Sequence, residues 1–241
     1  MPHPKIADVI RGYGGAKARD EWYGEWGAAL LYRPIAFIIA PVLLRLSIGA
    51  TSVTLVALAL AVGLPIVALS GAPNAALAIG IIGIAVGILD CVDGTIARAT
   101  GTVTARGDYL DFLTDVVFRM SLYTALGLTA DKMETTPAWL GGHAFSFAAV
   151  AALLAIAARL CRVYGELMTG ARPNAPPSLP GPGRAFGTYI FPFLSGLDSL
   201  TPVAMLAALY LGVLGWLVVW LLVYSAADFL QTQFVVLGKI K

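Results

Sequence analysis

Long apolar stretches separated by short polar or Gly/Pro-rich breaks constrain the fold of this chain more than any other feature. Residues 51–69, 75–96 and 145–163 each approach the roughly 20 residues that a helix needs to cross about 30 Å of hydrocarbon. Hydrophobic residues make up 59% of the chain and charged residues only 12%, with a mean hydropathy of +0.82, so a bilayer is the expected solvent. The sequence therefore predicts an all-α, polytopic membrane helical bundle.

Six transmembrane helices are predicted between residues 51 and 237, within a single membrane-embedded domain over residues 1–241. Thr51 and Asn74 are the expected N-caps of the first two helices, because each stands at the start of an apolar run. The predicted spans cover residues 51–69, 75–96, 107–128, 145–163, 185–197 and 202–237.

The segment before the spans, residues 28–48, is predicted to be an N-terminal interfacial amphipathic helix. Pro34 and Pro41 interrupt its apolar residues, and Arg33 and Arg45 bracket them. The remaining charge-free stretch is too short for an upright span, so this helix is expected to lie at the lipid–water boundary.

The distribution of Lys and Arg predicts how the helices are inserted. An even number of spans places both termini on one side, together with the loops after the second and fourth spans. Of the sixteen basic residues, only Lys132 falls in a loop on the other side, and Arg119 lies within a span. Because cytoplasmic loops are enriched in Lys and Arg, both termini are expected in the cytoplasm. The expected location is a bacterial inner membrane.

Net charge and cysteine content argue against a nucleic-acid-binding protein, a disulfide-rich protein and a protein with a cysteine metal site. The formal net charge of +2 is too small to indicate a nucleic-acid partner. Cys91 and Cys161 both lie in apolar segments, so neither a disulfide framework nor a cysteine metal site is expected.

Four carboxylates near the ends of two neighbouring predicted helices carry the strongest chemical signal. Asp90 and Asp93 are three residues apart, and Asp111 and Asp115 are four apart, so each pair lies on one helical face. A loop of about eight residues, 99–106, makes the two helices antiparallel neighbours and brings the acidic faces together. Converging carboxylates repel one another unless cations neutralise them, and hard oxygen ligands suit Mg²⁺, Mn²⁺ or Ca²⁺, with a pair of ions suited to phosphoryl chemistry.

Small residues lie on the same helical faces as these carboxylates. Gly94 and Ala97 follow Asp90 by one and two turns. Gly107 precedes the third aspartate by one turn. Their missing side chains would let a pyrophosphate or ribose approach the backbone, while Arg98 offers a planar cation for phosphate.

These residues resemble the signature of the CDP-alcohol phosphotransferase (CDP-alcohol phosphatidyltransferase) family. The matching pattern is Asp90-x-x-Asp93-Gly94-x-x-Ala97-Arg98, eight residues, then Gly107-x-x-x-Asp111-x-x-x-Asp115, with eight fixed positions over 26 residues. The likeness extends more loosely to the order and number of helices. A Pro-Asn-x-x-Thr element common in the family corresponds to residues 50–54 here, where only Thr54 matches.

The resemblance implies a homodimer and a function for each motif residue. Asp90, Asp93 and Asp111 are expected to hold metal, Mg²⁺ or Mn²⁺ with two ions per site. Asp115 is expected to be both a ligand and the base for the incoming hydroxyl. The CDP-binding residues implied are Thr54, Gly94, Ala97, Arg98 and Gly107. The reaction implied is in-line attack of an alcohol on the β-phosphorus with release of CMP.

The favoured substrates are CDP-diacylglycerol and a polar alcohol of the serine, inositol phosphate or glycerol phosphate type. Residues 110–117 resemble phosphatidylserine synthases, and the Asp-Pro and Asp-Lys pairs typical of phosphatidylglycerophosphate synthases are missing. A CDP-choline or CDP-ethanolamine donor acting on diacylglycerol is the alternative, because the same catalytic residues would serve either direction.

Four arginines are candidates for binding an anionic acceptor. Arg119 lies one turn beyond Asp115, where a buried partner is expected and one of the site aspartates is also eligible. The other three lie near predicted cytoplasmic helix ends, where arginines also reach lipid phosphates. These three are Arg159, Arg162 and Arg184.

A cation-coupled transporter would also carry acidic residues within its membrane helices. Its ionisable groups are expected near the midplane with access from both sides, whereas the four aspartates here lie near one surface. In a purely structural role, the aspartates would pair with Arg98, Arg106 and Arg119. That role leaves the small residues beside them without a purpose and predicts that metal is dispensable.

Overall fold

A computed structural model describes residues 9–10, 13–133, 136–168 and 187–239 of the chain. Every regular element within these ranges is a helix. The helices are α1 (Gly15–Gly24), α2 (Trp26–Arg45), α3 (Ala50–Leu69), α4 (Ala75–Thr100), α5 (Ala105–Ala130), α6 (Ala144–Met168), α7 (Gly187–Asp198), α8 (Thr201–Tyr210) and α9 (Leu214–Lys239).

Several of these helices have the length and apolarity of membrane spans. By length and composition, α2, α3, α4, α6 and α9 could each cross a bilayer. A sixth candidate is the pair α7 and α8, which are bent by 63° at the break between them. The prediction of an all-α, polytopic membrane bundle is confirmed, and the protein is an integral membrane protein. The interfacial placement of α2 and the assignment of α5 as a span stay predictions.

The N-cap of α3 differs from the prediction. The helix begins at Ala50, so the expectation that Thr51 caps it is wrong, and Thr51 lies inside the first turn. Gly49 takes the capping position, where its carbonyl accepts hydrogen bonds from the amides of Ser52 and Val53. Glycine is tolerated at this position because it adopts the non-helical backbone that a cap requires. Asn74 directly precedes α4, as predicted.

The turn between α4 and α5 is shorter than the eight residues predicted. Only residues 101–104 separate the two helices. Gly101 has a φ of 68°, and the amides of Gly101 and Thr102 bond back to the carbonyls of Arg98 and Ala97, which together end α4 in a Schellman motif. Thr104 then caps α5, because its hydroxyl oxygen accepts a hydrogen bond of 3.1 Å from the amide of Gly107.

The prediction of one continuous helix over residues 202–237 is wrong. The chain forms α8 and α9 there, separated by residues 211–213. Gly212 has a φ of 70°, and the amide of Val213 bonds to the carbonyl of Ala208 at 2.8 Å. This is again a Schellman ending, which the apolar composition of the segment concealed.

The chain divides into two compact units, and the first comprises Met1–Gly63, Ile81–Phe118 and Ser178–Val203. Within it, the indole N–H of Trp26 donates to the carbonyl of Phe193 at 3.0 Å, and the two rings stack. The Tyr32 hydroxyl donates to the carbonyl of Ser199 at 3.1 Å. These bonds attach α2 to α7 and the turn that follows it. The core of this unit is made by Tyr32, Ala36, Ala40, Val53, Cys91, Val92 and Ile96.

The second unit comprises Leu64–Gly80, Arg119–Pro177 and Ala204–Lys241. In it α6 packs along α9, and small side chains such as Ala148 and Ala151 are fully buried on α6. The carboxylate of Asp131 accepts hydrogen bonds from the amides of Ala144 and Phe145, at 2.8 and 3.0 Å. Asp131 therefore caps α6 from a distant part of the chain.

The end of α2 gives a prediction about stability. Ser47 has a φ of 58° in the turn after α2, a conformation that costs a non-glycine residue about 1 kcal/mol. Ser47→Gly should therefore raise the midpoint of thermal unfolding of the detergent-solubilised protein, because it relieves this cost.

Ser52→Gly is the matched control, because Ser52 lies in the first turns of α3, where glycine lowers stability. A midpoint lowered by both substitutions would contradict the prediction.

Candidate active site

A cavity of about 440 Å³ lies in the first unit, where the start of α3, the end of α4 and the start of α5 meet the turn 101–104. Its charged lining residues are Asp93, Arg98, Asp108 and Asp111. Apart from Val103, the remaining lining residues are glycines, alanines and threonines, and these small side chains leave room beside the charged ones. The cavity therefore has the size and polarity for a phosphate-bearing ligand.

Asp93 is the most tightly held carboxylate of the cavity. It is 5% exposed, and one of its oxygens accepts a hydrogen bond of 2.6 Å from the Thr54 hydroxyl. The other oxygen accepts a bond of 2.5 Å from the amide of Gly94. Thr54 is itself buried, and it also bonds the carbonyl of Ala50 within its own helix. Thr54 therefore orients a carboxylate from α3, in addition to lining the cavity.

The four predicted aspartates lie within electrostatic reach of one another. Asp90 interacts with the charges of Asp111, Asp93 and Asp115, in decreasing order of strength. Asp93 and Asp111 line the cavity, whereas Asp90 and Asp115 lie beyond its lining. The turn between α4 and α5 thus brings together the two acidic pairs that the sequence placed on separate helices.

The donor set has the chemistry of a divalent-cation site. Four carboxylates supply hard oxygen ligands, and the repulsion among them would be offset by a bound ion. Within the described ranges, no three His, Cys, Asp or Glu side chains are already arranged to hold a metal ion. The residues therefore fit a cation by charge and ligand type, and their side chains would have to move closer together to coordinate it.

Arg98 folds back over Gly94 at the edge of the cavity. A Cβ atom built on Gly94 would lie 3.1 Å from Nη1 and 3.3 Å from Nη2 of Arg98. The Nε and Nη2 atoms of Arg98 are buried and have no hydrogen-bond partner in the part of the chain that the structure describes. The space expected for a ligand at Gly94 is thus occupied by a guanidinium group with two unused donors.

Ala97 and Gly107 also line the cavity, and Gly107 faces less crowded space than Gly94. A Cβ on Gly107 would meet only the Thr104 hydroxyl oxygen, at an ordinary contact of 3.4 Å. Gly107 thus contributes its backbone amide to the cap of α5.

None of the predicted acceptor-binding arginines belongs to the described part of the first unit, which contains the aspartates. Arg119, Arg159 and Arg162 belong to the second unit, and Arg184 lies outside the described residues. Nη1 of Arg162 bonds the Asp228 carboxylate at 2.8 Å and the Thr232 hydroxyl at 2.7 Å. Arg162 therefore links α6 to α9, and its role in acceptor binding stays a prediction.

Sequence reasoning missed several residues that line the cavity. Gly49, Thr102, Thr104 and Asp108 do so because the turns before α3 and between α4 and α5 are tight. The sequence did indicate the start of α5, since a Thr such as Thr104, followed by an acidic residue within the next turn, is typical of a helix start. Asp108 is the acidic residue in the first turn of α5.

Comparison with known proteins identifies the family of the chain. No curated protein gives a match to the chain. The family model for CDP-alcohol phosphatidyltransferase matches residues 47–225, well over half of the chain and all of the aspartate motif. Enzymes of this family transfer a phosphate-containing group from a CDP-alcohol to an acceptor. The chain therefore belongs to the CDP-alcohol phosphatidyltransferase family.

Proposed function

We propose that this protein moves a phosphatidyl group from CDP-diacylglycerol to a polar alcohol, of the serine, inositol phosphate or glycerol phosphate type, and releases CMP. The observation that carries the proposal is the cavity that Asp93, Asp111 and Arg98 line together, where the end of α4 meets the start of α5. A pyrophosphate-bearing donor needs both a cationic donor group and a place for charge-neutralising ions, and this cavity offers both.

Asp90, Asp93, Asp111 and Asp115 would hold the ions, which we propose are two Mg²⁺ or Mn²⁺. Bound divalent cations would neutralise the charge of the donor pyrophosphate and of the leaving CMP. The Thr54 hydroxyl supports this assignment because it fixes Asp93 in one orientation before any ligand arrives.

Arg98 would bind a donor phosphate through its Nε and Nη2 donors, which are buried beside the cavity. A guanidinium group matches two phosphate oxygens with parallel hydrogen bonds. Ala97 and Gly107 would leave space for the ribose and cytosine, and Gly94 would give the guanidinium its room.

Asp115 would act as the base. Its carboxylate takes the proton of the acceptor hydroxyl, and the alcohol oxygen then attacks the β-phosphorus in line as the bond to CMP breaks. The base would lie on α5, one turn beyond Asp111 and on the same helical face. Catalysis then depends on positioning and charge stabilisation, without a covalent enzyme intermediate.

Sequence features support the choice of donor and acceptor. The likeness of residues 110–117 to phosphatidylserine synthases favours CDP-diacylglycerol as donor. Arg119, Arg159, Arg162 and Arg184 remain candidates for an anionic acceptor group. We further propose that the protein is a homodimer in a bacterial inner membrane, with the active site and both termini in the cytoplasm, as the distribution of Lys and Arg indicates.

The decisive experiment is mass analysis of the lipids formed by purified protein. CDP-diacylglycerol with a mixture of serine, inositol phosphate and glycerol phosphate should give one new phospholipid and CMP, and a metal chelator should stop both. A product formed only from CDP-choline and diacylglycerol would show that the CDP-linked headgroup is the donor and that diacylglycerol is the acceptor. No CMP release from either donor would contradict the proposal.

The role of Asp115 gives a sharper prediction. Asp115→Asn should lower kcat by at least about 10²-fold, because general-base catalysis typically contributes that much. The measurement is the rate of CMP release at saturating donor and acceptor.

Asp131→Asn is the control, because it neutralises a carboxylate that caps α6 and lies outside the cavity lining. An Asp115→Asn enzyme that works at the normal rate would rule out the proposed base.

The contact between Gly94 and Arg98 predicts a selective effect on donor binding. Gly94→Ala should leave the protein folded, because alanine favours a helix, yet it should displace the guanidinium and raise the dissociation constant of CDP about tenfold. Binding of CDP is measured by titration calorimetry.

Gly63→Ala in α3 is the matched control, because a Cβ there would meet nothing within 4 Å. Equal CDP affinity in both variants would show that the position of Arg98 does not matter for the nucleotide.

A further inference from the structure

A buried cluster of charged and hydroxyl-bearing side chains lies on the N-terminal helices, before the family match begins at residue 47. Arg33 on α2 is 7% exposed and Glu21 on α1 is 2% exposed. Nε of Arg33 donates to one Glu21 oxygen at 3.0 Å, and Nη2 pairs with the other. The Tyr13 hydroxyl donates to Glu21 at 2.5 Å, and its ring lies 5.1 Å from the guanidinium carbon.

The remaining donor group of Arg33 reaches α4. Nη1 bonds the carbonyl of Cys91 at 2.8 Å and the hydroxyl of Thr95 at 3.0 Å. The Thr95 hydroxyl in turn donates to the same carbonyl at 2.6 Å. The guanidinium therefore connects three helices, and all three of its nitrogens are used.

The two attachment points on α4 alternate along the chain with the acidic pair of the active site. Cys91 directly follows Asp90, and Thr95 comes two residues after Asp93. At 3.6 residues per turn, Cys91 and Thr95 lie on a face of α4 about 150° around the helix from the one that carries the two aspartates. Arg33 thus holds from behind the single helical turn that presents both carboxylates.

The charge of this cluster is balanced inside the fold. Burial by itself would raise the pKa of Glu21, but the charge of Arg33 and the hydrogen bonds from Tyr13 and Arg33 lower that pKa below its ordinary value. Glu21 is therefore ionised at neutral pH and neutralises Arg33. A buried ion pair adds little stability over apolar side chains of the same size, so a fixed geometry is the better reason for placing one here.

We propose that Arg33 is a positioning residue for the metal site, and that Glu21 is the counter-ion that keeps it in place. The inference rests on the proposed function, because it assumes that Asp90 and Asp93 bind a divalent cation. It adds the N-terminal helices to the working site, although they lie before residues 47–225, which the family model matches. Arg33 is not among the residues that line the cavity, and it would act through the backbone and hydroxyl groups of α4.

The test is Mn²⁺ binding to the full-length, detergent-solubilised protein, followed by electron paramagnetic resonance. Arg33→Lys keeps the charge opposite Glu21, but a compact ammonium cannot bond Glu21 and both α4 groups in the same geometry. It should weaken Mn²⁺ binding about tenfold, the effect expected when groups that orient metal ligands are changed.

Thr95→Val is the second variant, because it removes one α4 acceptor, leaves the ion pair with Glu21 intact and keeps the side-chain volume. It should also weaken Mn²⁺ binding, and it keeps the inference testable if Arg33→Lys does not fold. Asp131→Ala is the control for a purely structural effect, because it removes the cap of α6 and should lower the unfolding midpoint without changing Mn²⁺ affinity.

The outcomes separate the inference from the proposed function. If the wild-type protein binds Mn²⁺ and Arg33→Lys and Thr95→Val bind it equally well, the positioning role is wrong and the metal site stands. If Asp131→Ala weakens Mn²⁺ binding as much as the other two, the effect follows from lost stability and the positioning role is also wrong. If the wild-type protein binds no Mn²⁺, both proposals fall together.

Discussion

The mutual repulsion of carboxylates in a membrane protein is the constraint to which the rest of this site responds. Charged groups are costly in hydrocarbon, so four of them persist only where opposite charge or hydrogen bonds compensate them. Asp93 receives hydrogen bonds from Thr54 and Gly94, and Arg98 lies beside it at the cavity. The proposed divalent cations would supply the remaining compensation for a cluster that is otherwise strongly acidic.

Most of the helices, and the faces that the aspartates share, could be predicted from short-range patterns in the sequence. The apolar runs predicted α3, α4 and α6 because hydrocarbon accepts only long apolar helices, and the spacing of the aspartates predicted their shared faces. The helix ends were harder to predict, because a cap depends on backbone conformation at one residue. Gly49 displaced Thr51 as the cap of α3, and Gly212 divided an apolar run that composition alone made continuous.

Side-chain partners far apart in sequence could not be predicted at all. Arg33 was interpreted as one of two charges that bracket an apolar stretch, yet its partners are Glu21 and the backbone of Cys91, 58 positions later. Arg162 was expected to meet an acceptor or a lipid phosphate, whereas the structure gives it Asp228 on another helix. Spacing reveals which residues share one helix face, but the packing of different helices decides which charges meet.

The four-residue turn between α4 and α5 also limits how such a protein can change in evolution. A residue inserted within α4 between Asp93 and the Schellman ending at Gly101 would rotate the helix by about 100° relative to that ending, which would turn Asp93 away from Asp111. Insertions that lengthen either helix between its acidic pair and this turn should therefore be eliminated by selection. New substrate preferences would then arise by replacing side chains around a fixed pair of helix ends.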